Sequence, residues 1–328
     1  MFSYPLSAHV EHHSALAYGC MGLNTGDQTE SEKLARTHRI VDAALGGGIR
    51  VFDHADIYAR GEAEHLFGQV LKARPELRQQ ITLQSKCGIR FADKHGPKRF
   101  DFSRDWIVAS VENSLQRLNT DYLDILLLHR PDPLMQPEEV AAAFEQLVQQ
   151  GKIRHAGVSN MQWAQMQLLQ DAMDRPLVAN QVELSLRHLD WLEEGVSSGN
   201  AGEPTINYAT GTLEYCRKHK VQLQAWGSLA QGAYCNADAN TTASKAAAKA
   251  DSTINAVTRC VAGYAADYGV APEAIVLAFL LRHPAAIQPV IGTTHLQRIA
   301  ACCQATSITL ERAHWYDLWV TARGRELP

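Results

Sequence analysis

Four residues in this chain have side chains suited to moving a proton onto or off an oxygen: Asp53, Tyr58, Lys86 and His129. A tyrosine hydroxyl, with an ordinary pKa of about 10, is a poor acid or base near neutrality. An ammonium beside it favours the phenolate and lowers that pKa, and a carboxylate paired with the ammonium can hold it in place. An imidazole alongside can orient a carbonyl oxygen and help shuttle the proton. Such a group can protonate an oxygen while a hydride reaches the adjoining carbon. It has no nucleophile paired with a base. Taken singly, each residue has a plainer reading: a loop hydrogen-bonder for Asp53, satisfied core rings for Tyr58 and His129. Lys86 is hardest to explain away, because a lysine closing an apolar strand needs a partner or a ligand.

The elements that would position them recur with a regular beat. Near-continuous apolar runs at 16–22, 49–55, 80–86, 122–129, 153–159, 177–184, 221–227 and 286–292 read as strands buried on both faces. Amphipathic stretches alternate with them: one starts at Ser31 and stops at Gly46-Gly47-Gly48, and another follows Ser103. Further helices are expected over 62–73, 137–150, 161–173, 206–219, 254–268, 272–283, 295–304 and 309–322. Eight strands alternating with helices predict a single-domain (β/α)8 barrel over 1–328, with an extra C-terminal helix; an open doubly wound sheet is the rival. Almost every apolar run closes with a polar group at the same end: Asp53, Lys86, His129, Ser159-Asn160, Gln181, Trp226-Gly227-Ser228 and Gly292-Thr293-Thr294. In a (β/α)8 barrel that end is the active-site face.

The 328 residues carry a formal net charge of −4 without a block of like charges, which argues against a nucleic-acid surface. No run approaches the length of a membrane-spanning helix, and the N-terminus lacks a secretory pattern. Seven scattered cysteines suit a reducing compartment, so a cytoplasmic location is expected. The cluster His9, His12 and His13 reads as a solvated segment, Cys302-Cys303 as helix residues and Asn240-Thr241-Thr242 as a chance sequon; no metal is expected. No dinucleotide G-x-G-x-x-G, phosphate loop, zinc-protease or nucleophile-elbow motif occurs. Two segments, 195–205 and 236–253, break the rhythm as long loops on the C-terminal face, either plain insertions or a cover over a ligand.

The chain resembles the aldo-keto reductase family. The resemblance rests on VFDHADIY (51–58), LQSKCG (starting at 83), DILLLHRPDP (124–133), GVSN (157–160), NQVELS (180–185), QAWGSLAQG (224–232) and PVIGTTHLQRI (289–299), in the family's order. It implies carbonyl reduction with NADP(H), with NAD(H) second, acting on a small-molecule carbonyl substrate. It makes Tyr58 the general acid/base, Lys86 the group that lowers its pKa, Asp53 the anchor of Lys86, and His129 the residue that orients the carbonyl. Ser159, Asn160 and Gln181 would hold the nicotinamide carboxamide, and Trp226 would stack on the ring. Gly227, Ser228, Leu229, Gln231 and Gly232 would follow the pyrophosphate, with Met21 and Gly22 beside the cofactor. Gly292, Thr293, Thr294 and Arg298 would take the adenosine and its 2′-phosphate. Ala301 and Cys302 stand where many members carry an adenine-contacting Glu-Asn pair, and Ala59 stands where many carry glycine. The alternatives are an NADP(H)-binding sensor with little turnover, and a cofactor-free lyase forming a Schiff base on Lys86.

Overall fold

Apolar runs that are buried on both faces pair edge to edge until no edge is left. The computed structural model describes residues 4–197, 199, 206–235 and 248–328. Its strands are β1 (Ala17–Gly19), β2 (Val51–Asp53), β3 (Thr82–Cys87), β4 (Ile89–Arg90), β5 (Arg99–Phe100), β6 (Leu123–Leu128), β7 (Ile153–Ser159), β8 (Leu177–Glu183), β9 (Gln222–Trp226) and β10 (Gln288–Ile291). Eight of them close a parallel barrel in the order β1-β10-β9-β8-β7-β6-β3-β2, so the open doubly wound sheet is excluded. The remaining two, β4 and β5, form an antiparallel hairpin in the loop after β3.

Alternate residues along a strand point to opposite faces. The outward set, including Phe52, Leu83, Leu126 and Leu128, joins the large core between barrel and helices. A separate cluster contains Ala17, Val51, Ile125, Leu127 and Ala179 together with Leu6 and Val10 from the N-terminal segment. That segment is therefore not the solvated stretch expected. Its Leu6 is fully buried, His13 packs on the Tyr4 ring at 5.2 Å, and His9 meets His155 at 5.5 Å. Two apolar side chains spaced four apart outweigh the histidines around them.

The helices are α1 (Glu30–Gly46), α2 (Glu62–Ala73), α3 (Arg104–Leu118), α4 (Pro137–Gln149), α5 (Trp163–Asp171), α6 (Asp190–Val196), α7 (Thr212–His219), α8 (Ala248–Tyr268), α9 (Pro272–Leu281), α10 (Leu296–Cys303) and the C-terminal α11 (Arg312–Arg323). Helix α1 begins before Ser31 because Thr29 and Glu32 form a capping box, each side chain bonding the other's backbone N–H at 3.3 and 2.8 Å. The first expected strand stops at Gly19, where Cys20–Gly22 turns over the barrel mouth. The expected loop 195–205 loses its first two residues to α6, and the expected loop 236–253 gives up 248–253 to α8. Residues 198, 200–205 and 236–247, where the cover over a ligand was placed, lie outside the described residues. Among the described residues no single helix is long and apolar enough to cross a bilayer, and all seven cysteines are free.

Candidate active site

Strand register builds the centre of the site. Asp53 lies opposite Gln84 across β2 and β3, and Lys86 follows two residues on, so both charged side chains point the same way at adjacent strand ends. Lys86 is 1% exposed, a burial no ammonium tolerates unpaired. Its Nζ donates to both Asp53 carboxylate oxygens at 2.7 Å, to the His54 carbonyl at 2.8 Å and to the Tyr58 hydroxyl at 3.0 Å. Burial works against the Lys86 charge, but Asp53 and Tyr58 outweigh it and hold its pKa above the usual range.

Tyr58 is delivered by a turn. The His54 and Asp56 N–H groups donate to the Gln84 and Lys86 carbonyls, continuing the pairing past the end of β2, and the Tyr58 N–H then closes onto the Ala55 carbonyl at 3.0 Å. The chain leaves through three left-handed residues, Ala59, Arg60 and Gly61, with φ of 48°, 57° and 95°. Ala59 therefore holds a conformation that glycine adopts with less strain. His129, one residue past β6, sets its ring edge-on to Tyr58 with centroids 6.0 Å apart. All four residues of the expected tetrad thus meet at one end of the barrel.

The electrostatics add burial to the expected effect of Lys86. Burial pushes the Tyr58 pKa up; Lys86 pulls it down by charge and hydrogen bond, but the net direction is upward. The hydroxyl is therefore held in its protonated form. Because Lys86 donates to the phenolic oxygen, the hydroxyl's own proton is free to point elsewhere. Burial, with Lys86, Arg130 and Lys98 adding to it, lowers the His129 pKa to about 3 and keeps its ring neutral at pH 7. Asp56 was not anticipated as a titrating group. Burial first, and then Glu64, raise its pKa to about 7.

His54 faces away from this centre, edge-on to the Phe67 ring at 4.7 Å, fully buried with neither ring nitrogen bonded to any described residue. Burial and Lys86 lower its pKa to about 3. The unfolded chain therefore takes up a proton on this residue below about pH 6.5 that the folded protein refuses, so stability falls as pH falls from there toward 3. Removing the imidazole with His54→Leu should reduce the stability lost between pH 7 and 5 by about 2 kcal/mol. Urea unfolding of both proteins at the two pH values checks it, and equal losses would refute it.

The residues expected around the cofactor divide into two groups. Ser159, Asn160, Gln181 and Trp226 form one cluster. Asn160 Nδ2 donates to Ser159 Oγ at 2.7 Å and to the His129 carbonyl at 3.2 Å; Trp226 Nε1 donates to Asn160 Oδ1 at 3.0 Å; Ser159 Oγ donates to the Gln181 carbonyl at 2.8 Å. Asn160 reaches this position with a φ of 59°. The second group lies over β1, β9 and β10. A Cβ on Gly22 would come within 3.1 Å of Thr294 Cγ2 and 3.4 Å of the Gly292 carbonyl, so Gly22 permits the two loops to approach. Met21 beside it is 65% exposed. Gly227, Ala230, Gln231 and Gly232 all have positive φ, coiling the segment after β9 tightly. Ser228 is buried with its hydroxyl bound to the Val290 carbonyl, so Gly227, Leu229, Gln231 and Gly232 carry the accessible surface there. Thr293 takes a hydrogen bond from Tyr18 Oη at 3.1 Å on its carbonyl. Arg298 lies exposed in the first turn of α10, with no ion pair to any described residue. Cys302 is fully buried and presents nothing at the surface.

Several polar groups near the centre were not anticipated. Arg130 places its guanidinium 5.4 Å over the Trp226 ring and lines a cavity of about 500 Å³ with Asn160, Glu183 and His188. Gln84, Gln224 and Gln288 are fully buried in the barrel. The signal was present in VQLQAWG, where Gln222 and Gln224 stand at alternate positions, and in the single glutamines that interrupt TLQSK and AIQPVIG. Among the described residues no group of His, Cys, Asp and Glu could hold a metal.

Comparison with known proteins agrees with this arrangement. The family model described as the aldo/keto reductase family matches residues 15–318. A 6-dehydroglucose reductase from Agrobacterium fabrum is 36% identical over 323 residues, covering 96% of each chain. The uncharacterized oxidoreductase YcsN of Bacillus subtilis is 34% identical over 320 residues, again 96% of each. In fold, a glycerol dehydrogenase from Gluconobacter oxydans superposes with a TM-score of 0.78 at 21% identity, covering 100% of this chain and 97% of that one. An aldo/keto reductase from Klebsiella pneumoniae, solved with NADP and acetate, gives 0.68 at 24% identity over 96% and 93%. With a barrel closed around an Asp53–Lys86–Tyr58 contact and that match over nearly its whole length, this chain belongs to the aldo/keto reductase family.

Proposed function

We propose that this protein reduces an aldehyde or ketone to an alcohol with NADPH. The observation that carries the reading is the Tyr58 hydroxyl, which accepts a hydrogen bond from an ammonium locked by Asp53 and stands beside a neutral His129. The nicotinamide, when bound, supplies hydride to the carbonyl carbon. Tyr58 gives its proton to the carbonyl oxygen, and Lys86 stabilises the phenolate left behind by charge and hydrogen bond. Neutral His129 offers a ring N–H to the same oxygen, which fixes its direction before the proton moves. In the reverse direction the phenolate is the base.

The residues present fit the cofactor. Gln181 commits its Nε2 to Gln224, its Oε1 takes no hydrogen bond from any described residue, and that oxygen is an acceptor suited to a carboxamide N–H. Trp226 provides an aromatic face beside it. Arg298, at a helix N-terminus with no ion pair to any described residue, suits a phosphate. Arg298→Met should therefore weaken NADPH binding by about tenfold or more, as expected for a charge-assisted contact, and leave NADH almost unchanged. Fluorescence titration with each dinucleotide measures both, and parallel losses would remove the 2′-phosphate from Arg298.

For substrate, a sugar aldehyde is the first class to assay, because the Agrobacterium relative is named for one. The testing experiment is a titration with NADPH, followed by turnover on a panel of sugar aldehydes, simple aldehydes and ketones. A folded protein that binds no dinucleotide would overturn the reading.

A further inference from the structure

The barrel interior between the apolar cluster and the tetrad holds four amides, Gln84, Gln181, Gln224 and Gln288, none more than 2% exposed. Buried amides are costly unless bonded, and these are bonded to one another. Gln84 Nε2 donates to Asp53 Oδ1 at 2.5 Å and to Gln224 Oε1 at 2.9 Å. Gln224 Nε2 returns a bond to Gln84 Oε1 at 3.1 Å and gives another to Gln288 Oε1 at 2.9 Å. Gln288 Nε2 ends the branch on the Ser14 carbonyl at 2.6 Å. Gln181 Nε2 donates to Gln224 Oε1 at 3.1 Å. Register makes the chain possible, since Gln224 lies opposite Gln288 on one side and Gln181 on the other.

The polarity of this chain follows from its charged end. An ionised carboxylate only accepts, so the Gln84 amide must turn its NH2 to Asp53. That NH2 also meets Gln224 Oε1, which fixes the Gln224 amide, and Gln224 Oε1 then demands the NH2 of Gln181. Gln181 is left with an oxygen that no described residue bonds. Without Gln224, either end of the Gln181 amide could face the cofactor.

We infer that Gln84 and Gln224 are positioning residues: they carry the orientation set by Asp53 to Gln181, so that its oxygen is presented to the nicotinamide carboxamide N–H. The inference rests on the proposed cofactor site and adds a link from the proton-transfer pair to cofactor recognition. It also explains why amides occupy strand positions where apolar side chains would pack without this network.

The test compares NADPH with its 3-acetylpyridine analogue, in which a methyl replaces the carboxamide NH2. Binding is read by quenching of tryptophan fluorescence, without turnover. Gln224→Met should weaken NADPH about five- to tenfold, the size of one neutral hydrogen bond, and change the analogue less than twofold. The pair Gln84→Met with Gln224→Met removes both partners of the reciprocal contact, so it folds more readily and should show the same selective loss. Equal losses for both dinucleotides, or no loss for NADPH, would overturn the inference while the cofactor site stands. Binding of neither dinucleotide by the unmodified protein would overturn the cofactor site, and this inference with it.

Discussion

Tyr58→Phe should lower turnover about a thousandfold, within the range a positioned general acid contributes, while NADPH affinity stays within about twofold. The substitution removes one oxygen and keeps the ring that meets His129 edge-on. Lys86 loses only one of its four acceptors, and Asp53 and the His54 carbonyl still take its protons. The fold should therefore survive, and the loss should fall on the chemical step. Single-turnover measurement with bound NADPH separates that step from binding and release. The pH profile carries a second check. With His129 held neutral down to about pH 3, it adds no titration between pH 5 and 9, and the reduction profile should reflect loss of the Tyr58 proton at high pH. Turnover near the unmodified level in Tyr58→Phe would reject Tyr58 as the acid.

Lys86→Met should be costly for stability as well as for chemistry. It leaves the Asp53 carboxylate buried at 2% exposure with Gln84 as its remaining side-chain partner. Breaking a buried pair from one side costs about 3–5 kcal/mol, because a charge remains without compensation. For a domain of this size that corresponds to a fall in Tm of about 4–7 °C. Replacing both partners, Lys86→Met with Asp53→Asn, should restore most of the loss, since a neutral amide can stay bonded to Gln84. Turnover should not return in the double variant, because no cation remains to stabilise the phenolate. Thermal unfolding of the three proteins, each with its activity, distinguishes the two roles. An unchanged Tm in Lys86→Met would show that the pair contributes nothing to the folded state.

Burial shapes the charge at Tyr58 and in the N-terminal segment in a way that residue types alone do not show. Lys86 lowers the Tyr58 pKa by charge and hydrogen bond, as the residue types imply, whereas burial raises it by an amount that depends on every atom packed around it. At Tyr58 the second effect is larger. The same reasoning covers the N-terminal histidines. His9, His12 and His13 look hydrophilic in sequence, but Leu6 and Val10 anchor their segment against the barrel, and burial lowers the pKa of His9 and His13.

The amino-acid sequence by itself determined the eight strands, their alternation with helices and the common end at which Asp53, Lys86 and His129 emerge. Those features depend on local periodicity and on burial of apolar runs, and both are written along the chain. It also marked Tyr58, whose distance from Asp53 is set by one short turn. Only the tertiary structure decided that β4 and β5 pair as a hairpin, that a short α6 follows β8, and that Gln84, Gln181, Gln224 and Gln288 join into one directed network. A glutamine's amide finds its partners across strands up to 140 positions apart in sequence, and only closure of the barrel brings them within hydrogen-bonding distance.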